Sequence, residues 1–357
     1  MLRGCWTPVG PEQGMTLSAR EIVDRRISEV GIRVAGQELG VAAILFTYRC
    51  TISCRHCCFG CSGKRPEVLM DAERCVRYLA DLHETGRVIH IAGGECMAYW
   101  DDLVKALEMA QRHGVQPHFI ETNASFATAD AVVRERFERM RVLGLGGILS
   151  SADPYHQASV PPENFLRVRT IGEQIFGRQN LWMSMAPPEE IRDYAAIARD
   201  EDRLSDWARR NRPMFVGSAY NELSRFVEHH PIDRLPPQRG WHAAHTGPDC
   251  AVEFDRETIW ELHIDPYDNI QTNCGVILGK ANQKKVRQLI EEGPGNANFI
   301  SRILVEGGPL QLARWAHVRH GFDLPEKESS KCGLCYVTRS FLRQFYPDIL
   351  GPEEVYS

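Results

Sequence analysis

Between Cys50 and Cys61 the chain reads CTISCRHCCFGC, so five of its twelve cysteines fall in one short run. The run follows VAAILFTY (41–48), an apolar stretch with the length of a buried strand. Buried free thiols do not account for such a density. Cys50, Cys54 and Cys57 are spaced Cys-x3-Cys-x2-Cys. A zinc site favours Cys-x2-Cys pairs with a second pair elsewhere, and Cys54 with Cys57 fits half of that pattern. A bacterial ferredoxin run, Cys-x2-Cys-x2-Cys-x3-Cys-Pro, is not followed. Three thiolates on one loop suit three irons of a [4Fe-4S] cube, leaving the fourth iron open.

Downstream, apolar runs alternate with helical patterns. Strands are predicted at 41–48, 87–92, 116–122, 147–151, 181–185 and 213–218. Helices are predicted near 70–84, 101–113, 128–142, 162–176 and 189–210. Apolar strands without period-two alternation, separated by helices, indicate an α/β fold with a helix-covered parallel sheet. Chemistry in such sheets collects in the loops at the carboxyl ends of strands. The polar clusters lie there: the cysteine loop, Gly93-Gly94-Glu95, Thr122-Asn123, and SSADPYH (150–156). Residues 1–40 form an extension, with one short helix and a strand expected between Ala19 and Val34; no function attaches to it or to Cys5. The glycines of LGLGG (143–147) precede a strand instead of joining strand to helix, which excludes a dinucleotide loop.

With these motifs in place the chain resembles the radical S-adenosylmethionine (radical SAM) superfamily over roughly residues 41–340. That resemblance implies a partial (β/α)6 TIM barrel over 41–218 and assigns Cys50, Cys54 and Cys57 to a [4Fe-4S] cluster whose open iron S-adenosylmethionine (SAM) chelates. His56 stands where the family usually has an aromatic residue, and Cys58 and Cys61 are extra to the motif, read as buried thiols or loop packing. Gly93, Gly94 and Glu95 match the element that binds the methionyl amino group. Asn123 is a candidate for the methionyl carboxylate or ribose, or a turn-forming residue, with Ala124 in place of the family's glycine. Ser151 is a candidate cofactor contact, and Ser184 a weaker one for the ribose. Asp153, Tyr155 and His156 are candidates to face the substrate. Cys96, where proline is frequent, is either a hydrogen-atom donor, as in epimerases of this class, or a small apolar filler.

Residues 219–249 read as a linker rich in proline and histidine. Beyond it, Cys250 precedes a hairpin, TIWELHIDPYDNIQTNC (258–274), then two helical stretches (about 281–291 and 298–318) and Cys332-Gly-Leu-Cys335 before a last helix at 336–345. Cys250, Cys274, Cys332 and Cys335 are enough to close a metal site. The resemblance extends here to the auxiliary-cluster domains called SPASM and its shorter form, Twitch, in which a glycine stands five positions before the second cysteine; Asn269 holds that place and tolerates left-handed dihedrals. Four cysteines imply a Twitch-like domain (250–357) with one auxiliary [4Fe-4S] cluster; structural zinc and unligated thiols are the alternatives.

A net charge of -5 gives no reason to expect a nucleic-acid partner, and the arginines of AVVRERFERMRV (131–142) alternate with glutamates as a solvated face does. No run approaches the length that spans a bilayer, and the first residues carry no secretory h-region, so no membrane partner is expected. Clustered cysteines in a long chain indicate metal ligation in a reducing compartment, and the cytoplasm is the expected location. The resemblance implies reductive cleavage of SAM to a 5′-deoxyadenosyl radical, an external one-electron donor such as flavodoxin or ferredoxin, and hydrogen abstraction from a small polar metabolite or a peptide. Dehydrogenation, a carbon–carbon or thioether cross-link in a ribosomal peptide, and epimerisation through Cys96 all follow from that start; a non-catalytic iron–sulfur or zinc protein is the alternative of another class.

Overall fold

A computed structural model describes residues 17–182, 186–236 and 247–356. After helix α1 (Ala19–Leu39), five strands pair in parallel: β1 (Val41–Leu45), β2 (Val88–Ala92), β3 (Phe119–Thr122), β4 (Gly147–Ser150) and β5 (Leu181–Trp182). Every residue of β1, β2 and β4 is buried, as a sheet covered on both faces requires. Helices α2 (Ala72–His83), α3 (Trp100–Arg112), α4 (Asp130–Val142) and α6 (Pro162–Phe176) form the intervening crossovers, with a short α5 (Pro154–Gln157) after β4. Asp71 caps α2 by accepting from the Arg74 N–H at 2.8 Å, which satisfies one of the donors a helix start leaves free.

The expected helix at 189–210 is two helices, α7 (Pro188–Ala198) and α8 (Glu201–Arg210). The break falls at Asp200, which leaves helical geometry so that its carboxylate can accept from the N–H groups of Asp202 and Arg203. Residues 183–185, Ser184 among them, lie outside the described residues, as does Cys5. The expected strand at 213–218 does not form. Phe215 and Val216 are apolar because they are buried under the cysteine loop: the Ser218 N–H donates to the Cys57 carbonyl at 2.9 Å, and Gly217, at φ 57°, lies so close to Cys57 and Cys58 that a Cβ there would meet the Cys58 oxygen at 2.5 Å.

The stretch expected as a linker continues with α9 (Ser218–Leu223) and β6 (His230–Pro231). After α10 (Ala251–Phe254), β7 (Glu261–Ile264) pairs in parallel with the free edge of β1, and β8 (Asn269–Thr272) and β9 (Ile277–Lys280) follow antiparallel. The sixth parallel strand is therefore β7 and not 213–218, and the C-terminal hairpin extends the same sheet, in the order β5-β4-β3-β2-β1-β7-β8-β9. The residue with a left-handed backbone in that hairpin is Asp268, at φ 62°, while Asn269 is ordinary strand. Helices α11 (Val286–Glu292) and α12 (Phe299–His320) lead to β10 (Lys327–Glu328), which pairs with β6, and to α13 (Lys331–Leu342). This last helix starts five residues before the expected position, so Cys332 and Cys335 lie near its N-terminus.

The sheet wraps until its parallel ends meet. Trp182 on β5 and Trp260, just ahead of β7, have ring centroids 6.4 Å apart. Helix α1 seals this end. It bends at Gly31, where φ is 82°, so the strand expected near Val34 is a second helical segment. Val23, Ile32 and Ala35 pack there against Val41, Val88, Phe119, Leu149 and Trp182. Gly36 of α1 accepts from the Trp260 indole N–H at 3.2 Å, and a Cβ on Gly36 would meet the Trp182 ring at 2.6 Å.

Gly36→Ala separates two opposed effects. Helix propensity alone stabilises by about 1 kcal/mol, whereas overpacking against a boxed-in indole costs about 1–3 kcal/mol. Net destabilisation in urea titration is expected; a gain in stability would show that α1 does not seal the sheet.

Candidate active site

The loops at the carboxyl ends of the strands surround one cavity of about 700 Å³. The cysteine loop is folded by short-range bonds: the Cys57 N–H donates to Cys54 carbonyl at 3.1 Å, and the Cys50 N–H to Ser62 carbonyl at 3.1 Å. Cys50, Cys54 and Cys57 all line the cavity, and so do Cys58 and Cys61, which sequence reading treats as packing only. Cys61 also donates its N–H to the Cys57 sulfur at 3.4 Å. Burial pushes the Cys50 thiol up to about 12, so proton loss there has to accompany binding of a cation.

Gly93 and Gly94 reach the cavity because they lack side chains. Gly93 has φ 125°, and a Cβ on Gly94 would sit 2.0 Å from the Arg49 carbonyl. The Gly94 N–H donates to Thr47 carbonyl at 2.7 Å and the Glu95 N–H to Arg49 carbonyl at 3.2 Å, which ties the exit of β2 to the start of the cysteine loop. Glu95 itself is turned inward. Its carboxylate accepts from the Asn123 N–H at 2.7 Å, the Met97 N–H at 3.0 Å and the Thr122 hydroxyl at 3.0 Å. Burial pushes its carboxyl up to about 7 against the pull of those donors. Glu95 is thus the brace that holds the exit of β3. Asn123, held in this way, donates its side-chain amide to the Cys50 sulfur at 3.3 Å and to the Thr51 hydroxyl at 3.1 Å. Ala124 takes the left-handed conformation, φ 60°, that a glycine would adopt without strain.

After β4, Ser151 donates to Glu121 at 3.1 Å, and Asp153 caps α5 through the N–H groups of Tyr155 and His156. Nδ1 of His156 lies 2.8 Å from the Asp153 carboxylate, and Nε2 of His56 lies 3.5 Å from it. Burial opposes ionisation of Asp153, yet the adjacent His156 and His56 hold its carboxyl well below the usual range. The His56 ring stacks on Tyr155 with centroids 4.6 Å apart, so an imidazole takes the place of the expected aromatic as a flat, packed surface. Ser151, Asp153, Tyr155 and His156 all line the cavity; Cys96 does not. Its thiol is buried in the main core, 3.5 Å from the Glu121 carbonyl.

The far wall carries the second cysteine group: Cys250, Cys274, Cys332 and Cys335 line the same cavity. Arg339 is fully buried beside them, donating to the Cys335 sulfur at 3.3 Å, the Cys274 carbonyl at 2.8 Å and the Tyr356 hydroxyl at 2.6 Å. Lys331 donates to the carbonyls of Gly247 at 3.0 Å and Asp249 at 2.7 Å and pairs with Glu253 at 2.6 Å. The sheet brings further residues to the wall that motif reading passes over: His90, Glu121, Glu261 and His263. Their signal was a charged or imidazole side chain inside an otherwise apolar strand, as in VIHIA and FIET.

The donor sets are wholly sulfur, which suits iron–sulfur or zinc chemistry. Residues 44–169 match the family model of the Radical SAM superfamily. Among chains of solved structure, a similar one is BtrN, crystallised in complex with AdoMet and 2-DOIA; it is 12% identical, with a TM-score of 0.42 over 76% of this chain and 89% of that one. No curated protein matches the chain. No helix among the described residues is long and apolar enough to cross a membrane.

If Glu95 is a brace, Glu95→Ala leaves buried donors of Thr122 and Asn123 unpartnered and destabilises the ligand-free chain by at least about 2 kcal/mol. Glu95→Gln, which keeps one acceptor oxygen, should recover part of that loss in a urea titration. An unchanged ligand-free stability in both variants would leave Glu95 a ligand contact only.

Proposed function

We propose that the chain is a radical SAM enzyme that acts on a small polar metabolite and uses a second iron–sulfur cluster to take up an electron. The observation that carries this reading is that two separate thiol groups, Cys50/Cys54/Cys57 and Cys250/Cys274/Cys332/Cys335, line one cavity. A [4Fe-4S] cluster on the first group supplies, when bound, the electron that cleaves SAM and so starts hydrogen abstraction from the substrate.

The chain's own residues do the rest. Gly93 and Gly94 leave backbone open to the methionyl end of SAM, and Asn123 and Ser151 offer polar contacts beside it. The Asn123 amide, already donating to the Cys50 sulfur, lowers the charge on that ligand. His56 and Tyr155 present flat faces that exclude water.

At the second group, Arg339 supports an anionic metal–thiolate site. It is fully buried, and its partners are a thiol, a carbonyl and a phenol, with no carboxylate among its ion pairs in the described residues. A buried guanidinium without countercharge is strongly disfavoured; thiolates on metal would supply it. Zinc would draw its sulfurs to about 3.8 Å from one another. Among the described residues no three cysteine sulfurs lie within 4.8 Å of one another; the trios of possible ligands that do are Cys54/His56/His156 and His90/Glu261/His263. Four cysteine ligands leave no open iron, favouring electron transfer over substrate ligation.

A cavity of about 700 Å³ that must also hold SAM and both clusters favours a small molecule over a peptide. The burial of Cys96 away from that cavity weighs against epimerisation through its thiol. Oxidation of the substrate, with flavodoxin or ferredoxin reducing the first cluster, is the outcome this arrangement suits.

Anaerobic reconstitution should give about eight irons per chain. With Cys332 and Cys335 both changed to alanine, about four irons and continued release of 5′-deoxyadenosine from SAM and dithionite are expected; Cys54→Ala should abolish that release. Four irons in the unaltered chain would remove the auxiliary cluster, and undiminished release from Cys54→Ala would remove the assignment of the first.

A further inference from the structure

The cavity continues below the cysteine loops into the interior of the sheet, where His90, Glu261 and His263 converge from two strands. The register places them. On either side of β1, Ala43 is paired with His90 of β2 and with His263 of β7, so the two imidazoles stand in one row with only a methyl group between them. Glu261, two residues before His263 on β7, points to the same face because strand side chains alternate. One ligating atom from each of the three lies within 4.8 Å of the others.

Both imidazoles are held in place. The His90 ring stacks on Phe119 with centroids 4.4 Å apart and planes 7° from parallel, and Phe59 meets His263 edge-on at 5.0 Å. Nε2 of His263 lies 3.0 Å from Glu261, whose other oxygen accepts from Asn273 at 3.5 Å. An ordinary histidine–glutamate pair would end there. It does not explain His90, which is 2% exposed and whose Nδ1 is buried without a hydrogen-bond partner, or Nδ1 of His263, which is in the same condition. A buried polar atom left unpartnered costs about 1–3 kcal/mol. A second carboxylate, Glu121, lines the same space and interacts electrostatically with both Glu261 and His263. Two buried carboxylates facing one space repel each other unless a cation lies between them.

We propose that His90, His263 and Glu261 form a binding site for one divalent first-row transition ion, distinct from both cysteine groups. Two imidazoles and one carboxylate on one face of a sheet leave coordination positions open toward the cavity. There the ion is placed to ligate a hydroxyl or amine of the substrate, with Glu121 as a neighbouring acceptor. The site stands independently of the proposed radical chemistry, since none of its three ligands is a cluster cysteine.

Manganese(II) alone is the probe, because it prefers nitrogen and oxygen ligands and does not compete for thiolates. The reconstituted full-length chain, with its clusters oxidised, is titrated with Mn²⁺ while the electron paramagnetic resonance of the free aqueous ion is followed. About one ion bound per chain, with pulsed-resonance couplings to two imidazole nitrogens and displacement by Zn²⁺, is expected. His90→Ala should weaken binding by more than the roughly 10- to 100-fold that outer-shell losses give. Glu261→Gln, nearly the same shape and so a control for misfolding, should weaken it comparably while leaving the iron content unchanged. No binding, bound manganese without nitrogen couplings, or binding indifferent to both substitutions would overturn the proposal. So would a chain that takes up no cation but gains thermal stability from a primary amine.

Discussion

The site depends first on a contact between two pieces of backbone. Gly94 presses against the Arg49 carbonyl where any side chain would collide, with a Cβ only 2.0 Å from that oxygen. This contact couples the exit of β2 to the first cysteine of the loop after β1. The Glu95 carboxylate then couples it to β3 through Thr122 and Asn123, and Asn123 returns to the Cys50 sulfur. Three strand ends are thus fixed relative to one another by a ring of short contacts that no single element could form. Disturbing one member shifts the rest, because buried donors and acceptors have no water to fall back on.

The second organising fact is where the chain goes after leaving the first half of the sheet. By returning to the open edge of β1, strand β7 places its own hairpin, and with it Cys274, over the same cavity that the cysteine loop faces. α10 and α13 bring Cys250, Cys332 and Cys335 to that wall. The buried Arg339 spans the group by holding both a thiol and a neighbouring carbonyl. Two thiol clusters more than 190 residues apart in sequence, counted from Cys57 to Cys250, thereby share one cavity.

Local order was legible from the residues. The alternation of strands and helices, the position of α6 and the strand-end motifs all depend on short-range patterns. What escaped reading depends on partners far away in sequence. Phe215 and Val216 look like strand residues but are apolar because they back the cysteine loop. The run from 189 to 210 looks like one helix, yet Asp200 gains more as a cap than as a helical residue. Strand β7 reads as one arm of a hairpin, and nothing local reveals that its other edge belongs to β1. His90, Glu261 and His263 acquire meaning only through that pairing, which sets two of them in one row across Ala43. Glu95 matched its motif in sequence, but its bonding to Thr122 and Asn123 could be seen only in three dimensions.

We propose that Cys50, Cys54 and Cys57 hold a cluster whose remaining iron is open to SAM. Electron–nuclear double resonance on the reduced, reconstituted chain, with SAM carrying nitrogen-15 in its amino group, addresses it directly. A nitrogen-15 coupling to the cluster is expected in the unaltered chain and in one lacking Cys332 and Cys335, and should vanish in Cys54→Ala. A chain that carries its full iron yet shows no such coupling would contradict the claim.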